Sequence, residues 1–202
     1  MKENIIRLNI GSGFLPLPGY KNIDIKNTEP CYGVDLVADI RELKKHFKDN
    51  SVDEIFAKDS LEHVSWRQVP QTLQSWVDIL KPGGVLKIRV PDMDRIMDEY
   101  FVHRNDNDAK NRFMRMQQLL FGDQDFVENT HLSAFRREYL VEDLGKLGMG
   151  LIQKPWYDGG RDLRLSMMKG EGVSLVSADH PDYQYKEFNN QAHRAMYYAR
   201  NS

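Results

Sequence analysis

Short apolar runs alternate with longer amphipathic stretches along the chain. Four runs in the first ninety residues have the length and composition of buried strands, namely IIRLNI, YKNIDI, VDEIFA and VLKIRV. Near-continuous apolar runs of this length are typical of strands that are covered on both faces, as in parallel sheets. The pattern predicts an α/β fold built around a mostly parallel sheet.

Apolar side chains at helical spacing predict the connections. In VPQTLQSWVDILKPGG the apolar residues share one helical face, with Leu80 as the last of them, and the helix is expected to stop at Pro82 and Gly83. Three further helical patterns are MDRIMDEYFVH, AKNRFMRMQQLLFG and RREYLVEDLGKLG. The runs GLIQKPWY and RLSMMKG then predict a closing pair of strands.

Length and composition indicate one domain with an appendage. The chain has 202 residues, 41% of them hydrophobic and 29% charged, which favours a globular protein over a disordered one. No apolar run approaches the roughly 20 residues that span a bilayer, and the first residues lack a signal-peptide core, so we predict a cytoplasmic protein without a membrane partner. We predict a domain over 1–170, with an insertion at about 103–135 that could cover a substrate. The remaining residues, 171–202, form a C-terminal extension whose helical pattern could pack on this chain or pair two copies as a homodimer.

Charge and cysteine content exclude several classes of protein. The formal net charge is −2, with lysine and arginine scattered, so no basic surface for nucleic acid is indicated. The single cysteine, Cys31, excludes an internal disulfide and a cysteine-rich zinc site, which fits a reducing compartment.

The glycine turn after the first strand raises the question of its ligand. Gly11 and Gly13 begin like a dinucleotide-binding loop, in which a following helix would hold a pyrophosphate at its N-terminus. Pro16 and Pro18 disfavour a regular helix there, because proline removes a donor and biases its predecessor away from helical angles. A ligand whose amino-acid and nucleoside portions lie against bare backbone would still require the glycines.

Two carboxylates supply the other contacts of such a ligand. Asp24 ends the second strand, where it could accept hydrogen bonds from both ribose hydroxyls, and Asp39 with Ile40 could contact an adenine amine and ring. The ligand implied is S-adenosylmethionine. Both residues also have structural alternatives, since Asp24 could cap a strand end and Asp39 could cap the turn into IRELKKHF.

The ordered motifs LNIGSG, NIDI, DLVADI, NSVDEIFAKDSLEHV and ILKPGGVLKIRVPD resemble those of class I S-adenosylmethionine-dependent methyltransferases. The PLPGY turn is similar to that of a small bacterial and viral subgroup often encoded near polysaccharide-biosynthesis genes. Over roughly residues 7–169, the resemblance implies a Rossmann-like, mostly parallel seven-stranded sheet with helices on both faces and a C-terminal antiparallel strand pair. It implies a cofactor site formed by Asn9, Gly11, Ser12, Gly13, Asp24, Asp39, Ile40 and Asp59.

The same resemblance places AKDSLEHV at the lip of the cofactor pocket. Asp59, Glu62 and His63 are therefore candidates for acceptor chemistry, with His63 serving either as a general base or in a structural role. His131, in ENTHLSAF after a polar insertion, is a second candidate base or else a surface histidine.

Other polar clusters have simpler explanations. Acidic residues of PDMDRIMDE suit the first turn of a helix better than a calcium loop, so we predict no metal site; they are Asp92, Asp94 and Asp98. Arg136 and Arg137 could bind an acidic acceptor or lie on a solvated helix face.

The favoured hypothesis is methyl transfer to a small or glycan-linked hydroxyl. One alternative is a methyltransferase-like partner module without activity of its own, which the polar tail leaves open. A nicotinamide-dependent sugar oxidoreductase is a weaker alternative, since the helix after the glycine turn is missing and no Tyr and Lys lie four residues apart.

Overall fold

The computed structural model describes residues 5–28, 33–158 and 161–170. These ranges contain eight strands and four α-helices. The strands are β1 (Arg7–Ile10), β2 (Lys21–Asp24), β3 (Leu36–Val37), β4 (Val52–Lys58), β5 (Leu80–Pro91), β6 (Met149–Leu151), β7 (Trp156–Asp158) and β8 (Asp162–Lys169). The α-helices are α1 (Val69–Ile79), α2 (Met93–His103), α3 (Ala109–Phe121) and α4 (Arg137–Lys146), and short 3-10 helices cover Ile40–Lys45, Leu61–His63 and Val127–Asn129.

The strands form one mixed sheet in the order β3-β2-β1-β4-β5-β8-β6, and β7 pairs with β8 on the same edge as β6. Strands β1 to β5 are mutually parallel, whereas β8 runs antiparallel to both β5 and β6. The predicted mostly parallel sheet with antiparallel strands at its C-terminal side is confirmed. Because β2 and β4 flank β1, the order reverses beside β1, and open α/β sheets bind ligands at such a reversal, outside the carboxyl ends of the strands.

The core lies around the central strands and α1. Leu8, Ile10 and Ile55 are fully buried, and the apolar face of α1 packs against them through side chains that include Leu73 and Trp76. The Trp76 indole donates to the carbonyl oxygen of Ile40 at 2.8 Å, which satisfies the polar end of this large side chain. The helix predicted from apolar spacing is therefore present.

Three features of the fold differ from the sequence-based expectation: the end of α1, the presence of β3 and the division of one predicted strand into two. The helix α1 ends at Ile79, because Leu80 is already extended and begins β5, with the Pro-Gly-Gly bend inside that strand. The two-residue strand β3 was not predicted, since Leu36–Val37 is too short to show a pattern. The run GLIQKPWY divides into β6 and β7, both paired with β8.

The three later helices agree with the predicted patterns but pack differently. Helix α4 buries Leu140, Val141 and Leu144, whereas α3 has no buried residue. Among the described residues, no helix combines the length and apolar character needed to cross a membrane. Residues 171–202 and Cys31 lie outside the described residues. The predicted C-terminal extension, and the homodimer expected through it, therefore stay predictions.

Candidate functional site

The loop after β1 is a turn and not the start of a helix. Ser12 N–H donates to the Ile23 carbonyl at 3.0 Å and Leu15 N–H donates to the Ser12 carbonyl at 3.0 Å, which folds the chain back along β2. No helix intervenes between β1 and β2, as the two prolines indicated. The loop lies at the carboxyl end of β1, where the strand order reverses.

The two glycines of this turn have different surroundings. A Cβ on Gly11, where φ is +64°, would lie 2.4 Å from the Cβ of Ser60, so the absent side chain lets the turn pack against the segment after β4. A Cβ on Gly13, where φ is +52°, would have no heavy atom within 4 Å. The missing side chain of Gly11 therefore allows close packing against Ser60. At Gly13 it leaves one side of the backbone uncovered. Next to them, the hydroxyl oxygens of Ser12 and Ser60 are buried without a hydrogen-bond partner in the described structure.

Asn9 points into the loop that follows the turn. Its Nδ2 donates to Asn22 Oδ1 at 2.9 Å and to the Leu15 carbonyl at 3.3 Å, while Asn22 Oδ1 also accepts from Leu17 N–H at 2.7 Å. The Asn22 N–H in turn donates to Asp35 Oδ2 at 2.7 Å. The structure thus gives Asn9 a role in shaping the loop, and it adds Asn22 and Asp35, which the sequence analysis missed.

Asp24 is buried at the end of β2 and holds the turn. Its Oδ2 accepts from Gly13 N–H and its Oδ1 from Ile25 N–H, both at 2.8 Å. A carboxylate has about four acceptor positions, so two remain for ribose hydroxyls. The structure shows the capping role of Asp24 at the strand end, and its contact with a ribose stays a prediction.

Asp39 caps the 3-10 helix that follows it. Its carboxylate accepts from the Arg41 N–H at 2.8 Å and forms an ion pair with the Arg41 guanidinium. The hydrogen bonds from Arg41 lower the pKa of Asp39 against the opposing effect of partial burial. Ile40 is half-buried, and its carbonyl accepts from Trp76. The geometry corresponds to the capping alternative, and adenine contact at this position stays a prediction.

Asp59, immediately after β4, lies in an ion-pair cluster. Its backbone has φ of +50°, and its carboxylate accepts from Arg89 Nε at 2.6 Å and Nη2 at 2.5 Å. Arg89 also lies 3.5 Å from Asp162. A carboxylate bound in this way by a guanidinium is suited to fix a loop more than to accept a proton.

The structure brings His63 and His131 together, although they are far apart in the sequence. The segment before α4 crosses the Leu61–His63 turn, where Leu132 N–H and Ser133 N–H both donate to the Glu62 carbonyl at 2.8 and 3.1 Å. The two imidazole rings meet edge to face with their centroids 5.0 Å apart. No spacing in the sequence announces this contact.

Backbone carbonyls orient both imidazoles. His63 Nδ1 lies 3.1 Å from the Thr130 carbonyl oxygen, and His131 Nδ1 lies 3.0 Å from that of Leu119. A carbonyl only accepts, so a ring nitrogen that bonds to it must carry the proton. For His131 this places the proton on Nδ1, whereas His63 has backbone hydrogen bonds to both Thr130 and Asp59. Burial lowers the pKa of both residues, and the neighbouring His63 lowers that of His131 further. Burial therefore disfavours the charged form of both rings.

Glu62 is the third member of this cluster. Its side chain is only 2% exposed, and its Oε2 has no hydrogen-bond partner in the described structure. Burial, with the charge of Asp59 as a second cause, raises the pKa of Glu62 well above its usual range. One potential ligand atom from each of Glu62, His63 and His131 lies within 4.8 Å of the others.

The remaining polar candidates are engaged in local structure. Asp92 caps α2 by accepting from Arg95 N–H at 3.1 Å. Arg136 Nε pairs with Asp94 at 2.9 Å and Arg137 with Glu138 at 3.1 Å. The contact of Asp92 agrees with the capping alternative. The side chain of Arg137 is only 15% exposed, so it does not lie on a solvated face.

Comparisons with known proteins agree with the fold. Residues 21–88 match the family model described as a methyltransferase domain. A search of curated proteins by sequence found no match.

Several solved structures are similar in fold. A SAM-dependent methyltransferase from Archaeoglobus fulgidus is 16% identical with a TM-score of 0.56, and the match covers 83% of this chain and 87% of that one. A SAM-dependent methyltransferase from Methanosarcina mazei is 15% identical with a TM-score of 0.55, over 84% and 94% of the two chains.

A third similar structure contains ligands. It is 1,6-didemethyltoxoflavin-N1-methyltransferase from Burkholderia thailandensis, with bound 1,6-didemethyltoxoflavin and S-adenosylhomocysteine, which is 13% identical with a TM-score of 0.52 over 82% of this chain and 71% of that one. At these identities the likenesses establish the fold.

Proposed function

We propose that this chain, a SAM-dependent methyltransferase by its domain match and fold, transfers the methyl group to the oxygen of a hydroxyl on a small or glycan-linked acceptor. The predicted enzyme class and its cofactor, S-adenosylmethionine, agree with the comparisons. The observation that supports the oxygen acceptor is the pair of adjacent imidazoles of His63 and His131, each oriented by a backbone carbonyl, beside the carboxyl ends of the strands. The acceptor and the residue roles below belong to the proposal.

The cofactor fits the turn after β1. The open side of Gly13, the buried hydroxyls of Ser12 and Ser60, and the remaining acceptor positions of Asp24 offer unobstructed backbone and unused hydrogen-bonding capacity at one place. The cofactor supplies a methyl group on a sulfonium, which is already a good electrophile. The protein has to hold the acceptor in line with that methyl group and exclude water, and positioning of this kind supplies up to about 7–11 kcal/mol.

A hydroxyl acceptor requires a proton acceptor, whereas a carboxylate needs none and an amine must only be neutral. In the proposed step the acceptor oxygen bonds the methyl carbon, the carbon–sulfur bond breaks, and the hydroxyl proton moves to Nε2 of His63 or His131. The Nδ1 contacts to Thr130 and Leu119 orient the two rings. Asp59, bound to Arg89, would position the loop between cofactor and acceptor.

The carbohydrate part of the proposal rests on the subgroup resemblance and on exposed aromatic side chains. The side chain of Trp66 is 62% exposed, and its backbone N–H donates to the carbonyl of Leu132, next to His131. Phe14 is 68% exposed in the loop after the glycine turn. Aromatic rings at these two positions offer flat apolar surface to the apolar face of a sugar ring.

The test is transfer of labelled methyl from S-adenosylmethionine to a panel of sugar nucleotides, glycans, small alcohols and amines. For a hydroxyl acceptor, His63→Asn with His131→Asn should lower kcat by about 10²–10⁴, the usual effect of losing a general base. Calorimetric binding of S-adenosylhomocysteine should be unchanged in this double variant and lost in Asp24→Ala. Labelling of an amine and of no hydroxyl would contradict the proposal, and labelling of no acceptor at all would favour the partner module.

A further inference from the structure

We propose that Glu62, His63 and His131 form a binding site for a divalent transition-metal ion such as Zn²⁺ or Co²⁺. One potential ligand atom of each side chain lies within 4.8 Å of the other two. Two imidazoles and one carboxylate are a donor set that suits zinc, cobalt and ferrous iron, whereas magnesium and calcium prefer oxygen ligands alone. The site differs from the acidic residues at the start of α2, which cap that helix.

The histidines are held as metal-binding histidines usually are. A ligating imidazole commonly donates its second ring N–H to a carbonyl or carboxylate, which fixes the tautomer and orients the ring. Here the Nδ1 atoms lie 3.1 Å from the Thr130 carbonyl and 3.0 Å from that of Leu119. Each ring contributes one nitrogen to the group of atoms that lie within 4.8 Å of one another.

Glu62 provides an observation that is independent of the histidines. Its side chain is 2% exposed and its Oε2 has no partner among the described residues, a costly state for a carboxyl group unless a cation or donor compensates it. The surrounding backbone is fixed, because the Glu62 carbonyl accepts from both Leu132 and Ser133. Main-chain hydrogen bonds therefore hold the ligand-bearing segments together without an ion.

To bind an ion, the three ligand atoms need to move only slightly closer together. At bond lengths of about 2.0–2.2 Å, ligand atoms around a tetrahedral ion are separated by roughly 3.3–3.6 Å. Side-chain rotation can bring atoms that lie within 4.8 Å to that distance. Three protein ligands leave the fourth position open, as in catalytic metal sites.

Its catalytic meaning rests on the proposed oxygen acceptor. An ion held by the three residues would bind the acceptor hydroxyl at its open fourth position. It would lower the pKa of that hydroxyl, so that the proton leaves to solvent before methyl transfer. The imidazoles would then act as ligands and not as proton acceptors. Both schemes require His63 and His131, but only one requires the ion.

The experiment is calorimetric titration of the metal-stripped full chain with Zn²⁺, and with Co²⁺ followed by its visible absorption. We expect one ion per chain and at least tenfold weaker binding in Glu62→Gln and in His131→Asn. The matched control is His103→Asn, which removes an exposed histidine paired with Asp106 at 2.8 Å, and it should bind as the unaltered chain does. Circular dichroism checks that the variants fold, and a rise of Tm with Zn²⁺ in the unaltered chain and in His103→Asn, but not in Glu62→Gln or His131→Asn, gives a second readout.

The outcomes separate the two proposals. No Zn²⁺ or Co²⁺ binding, or equal binding by all variants, would overturn the metal site and leave the histidines as bases. Full methyl transfer to a hydroxyl by the chelated chain would overturn the catalytic role of the ion. Metal binding by the three residues, together with transfer to amines alone, would retain the site and reject the proposed acceptor.

Discussion

The proposed cofactor side, which comprises the turn after β1 with Asn22 and Asp24, and the proposed acceptor side, which comprises Glu62, His63 and His131, are built by different means. On the cofactor side, neighbouring segments of the chain use their polar groups on each other, as when Asp24 accepts from Gly13 and Asn22 accepts from Asn9. On the acceptor side, two distant segments meet through main-chain contacts to Glu62. Unpartnered side-chain atoms occur on both sides, namely Glu62 Oε2 here and the hydroxyls of Ser12 and Ser60 beside the glycine turn.

This difference separates stability from chemistry. Residues of the cofactor loop hold the fold, so replacing them should disturb folding and cofactor binding together. The side chains of Glu62, His63 and His131 make few of the hydrogen bonds that stabilise the fold. Replacing them should therefore lower activity more than it lowers stability. The predictions below test that division.

The largest expected effect is on the glycine turn. Gly11→Ala should destabilise the protein by about 2–4 kcal/mol, because the left-handed backbone costs about 1–2 kcal/mol and overpacking against Ser60 adds about as much again. Gly13→Ala should lose only about 1–2 kcal/mol, since its Cβ would meet no atom, but it should weaken binding of S-adenosylhomocysteine. Urea unfolding and calorimetry measure the two effects. Equal losses of stability would show that the glycines are not divided between packing and ligand binding.

Asn22→Ala should have the next largest effect. It leaves Leu17 N–H and Asn9 Nδ2 without their buried acceptor, which costs about 1–3 kcal/mol. His131→Asn on the acceptor side should change stability by less than about 1 kcal/mol, since the half-buried ring makes one backbone hydrogen bond. Urea unfolding of both variants checks the comparison, and a greater loss in the histidine variant would reverse it.

Sequence reasoning was most successful where a pattern is local. Apolar runs and helical spacing predicted the central strands and the helices, and two prolines predicted that no helix follows the glycine turn. The strand β3 was missed because two residues carry no periodicity. The end of α1 was misplaced because Leu80 suits the apolar face of a helix and the start of a buried strand equally well.

The candidate site was predicted less completely than the fold. Asp24 could be placed because it ends a strand, whereas no motif marks the hydrogen bond between Asn22 in β2 and Asp35 just before β3. His63 and His131 were singled out separately, but their contact depends on how 130–133 crosses the Leu61–His63 turn. Tertiary hydrogen bonds of this kind leave no regular spacing in the sequence.

The pairing of Glu54 predicts a moderate, pH-dependent effect. Tyr20, at the end of the cofactor loop, donates to Glu54 at 2.5 Å, and Lys87 donates at 2.7 Å. Burial alone would raise the pKa of Glu54, but these two hydrogen bonds outweigh it and the pKa is lowered. Since the folded-state pKa lies below the unfolded value of about 4.3, the stabilisation is present above that pH and is lost as the pH falls through the folded-state pKa.

Glu54→Gln should therefore reduce stability at pH 7 and flatten its decline below about pH 4.3. Urea unfolding between pH 3 and 7 measures both features. The matched control is Glu42→Gln, an exposed partner of Lys45, which should leave the acid decline unchanged. If the free energy of unfolding falls as steeply with decreasing pH in Glu54→Gln as in the unaltered chain, the ionised Glu54 side chain does not stabilise the cofactor side.

The smallest expected effect concerns the contact between the two sides. Lys26, two residues after Asp24, pairs with Glu128 at 3.1 Å and lies 4.4 Å from the ring centre of Phe126. Because the pair is largely exposed, Lys26→Gln should cost less than about 1 kcal/mol of stability. In the unaltered chain, S-adenosylhomocysteine should slow hydrogen exchange in 126–131 through this contact, and the variant should lose that protection while Lys45→Gln keeps it. Protection that survives in Lys26→Gln would mean that the cofactor side and the acceptor side communicate through other residues, or that they bind their ligands independently.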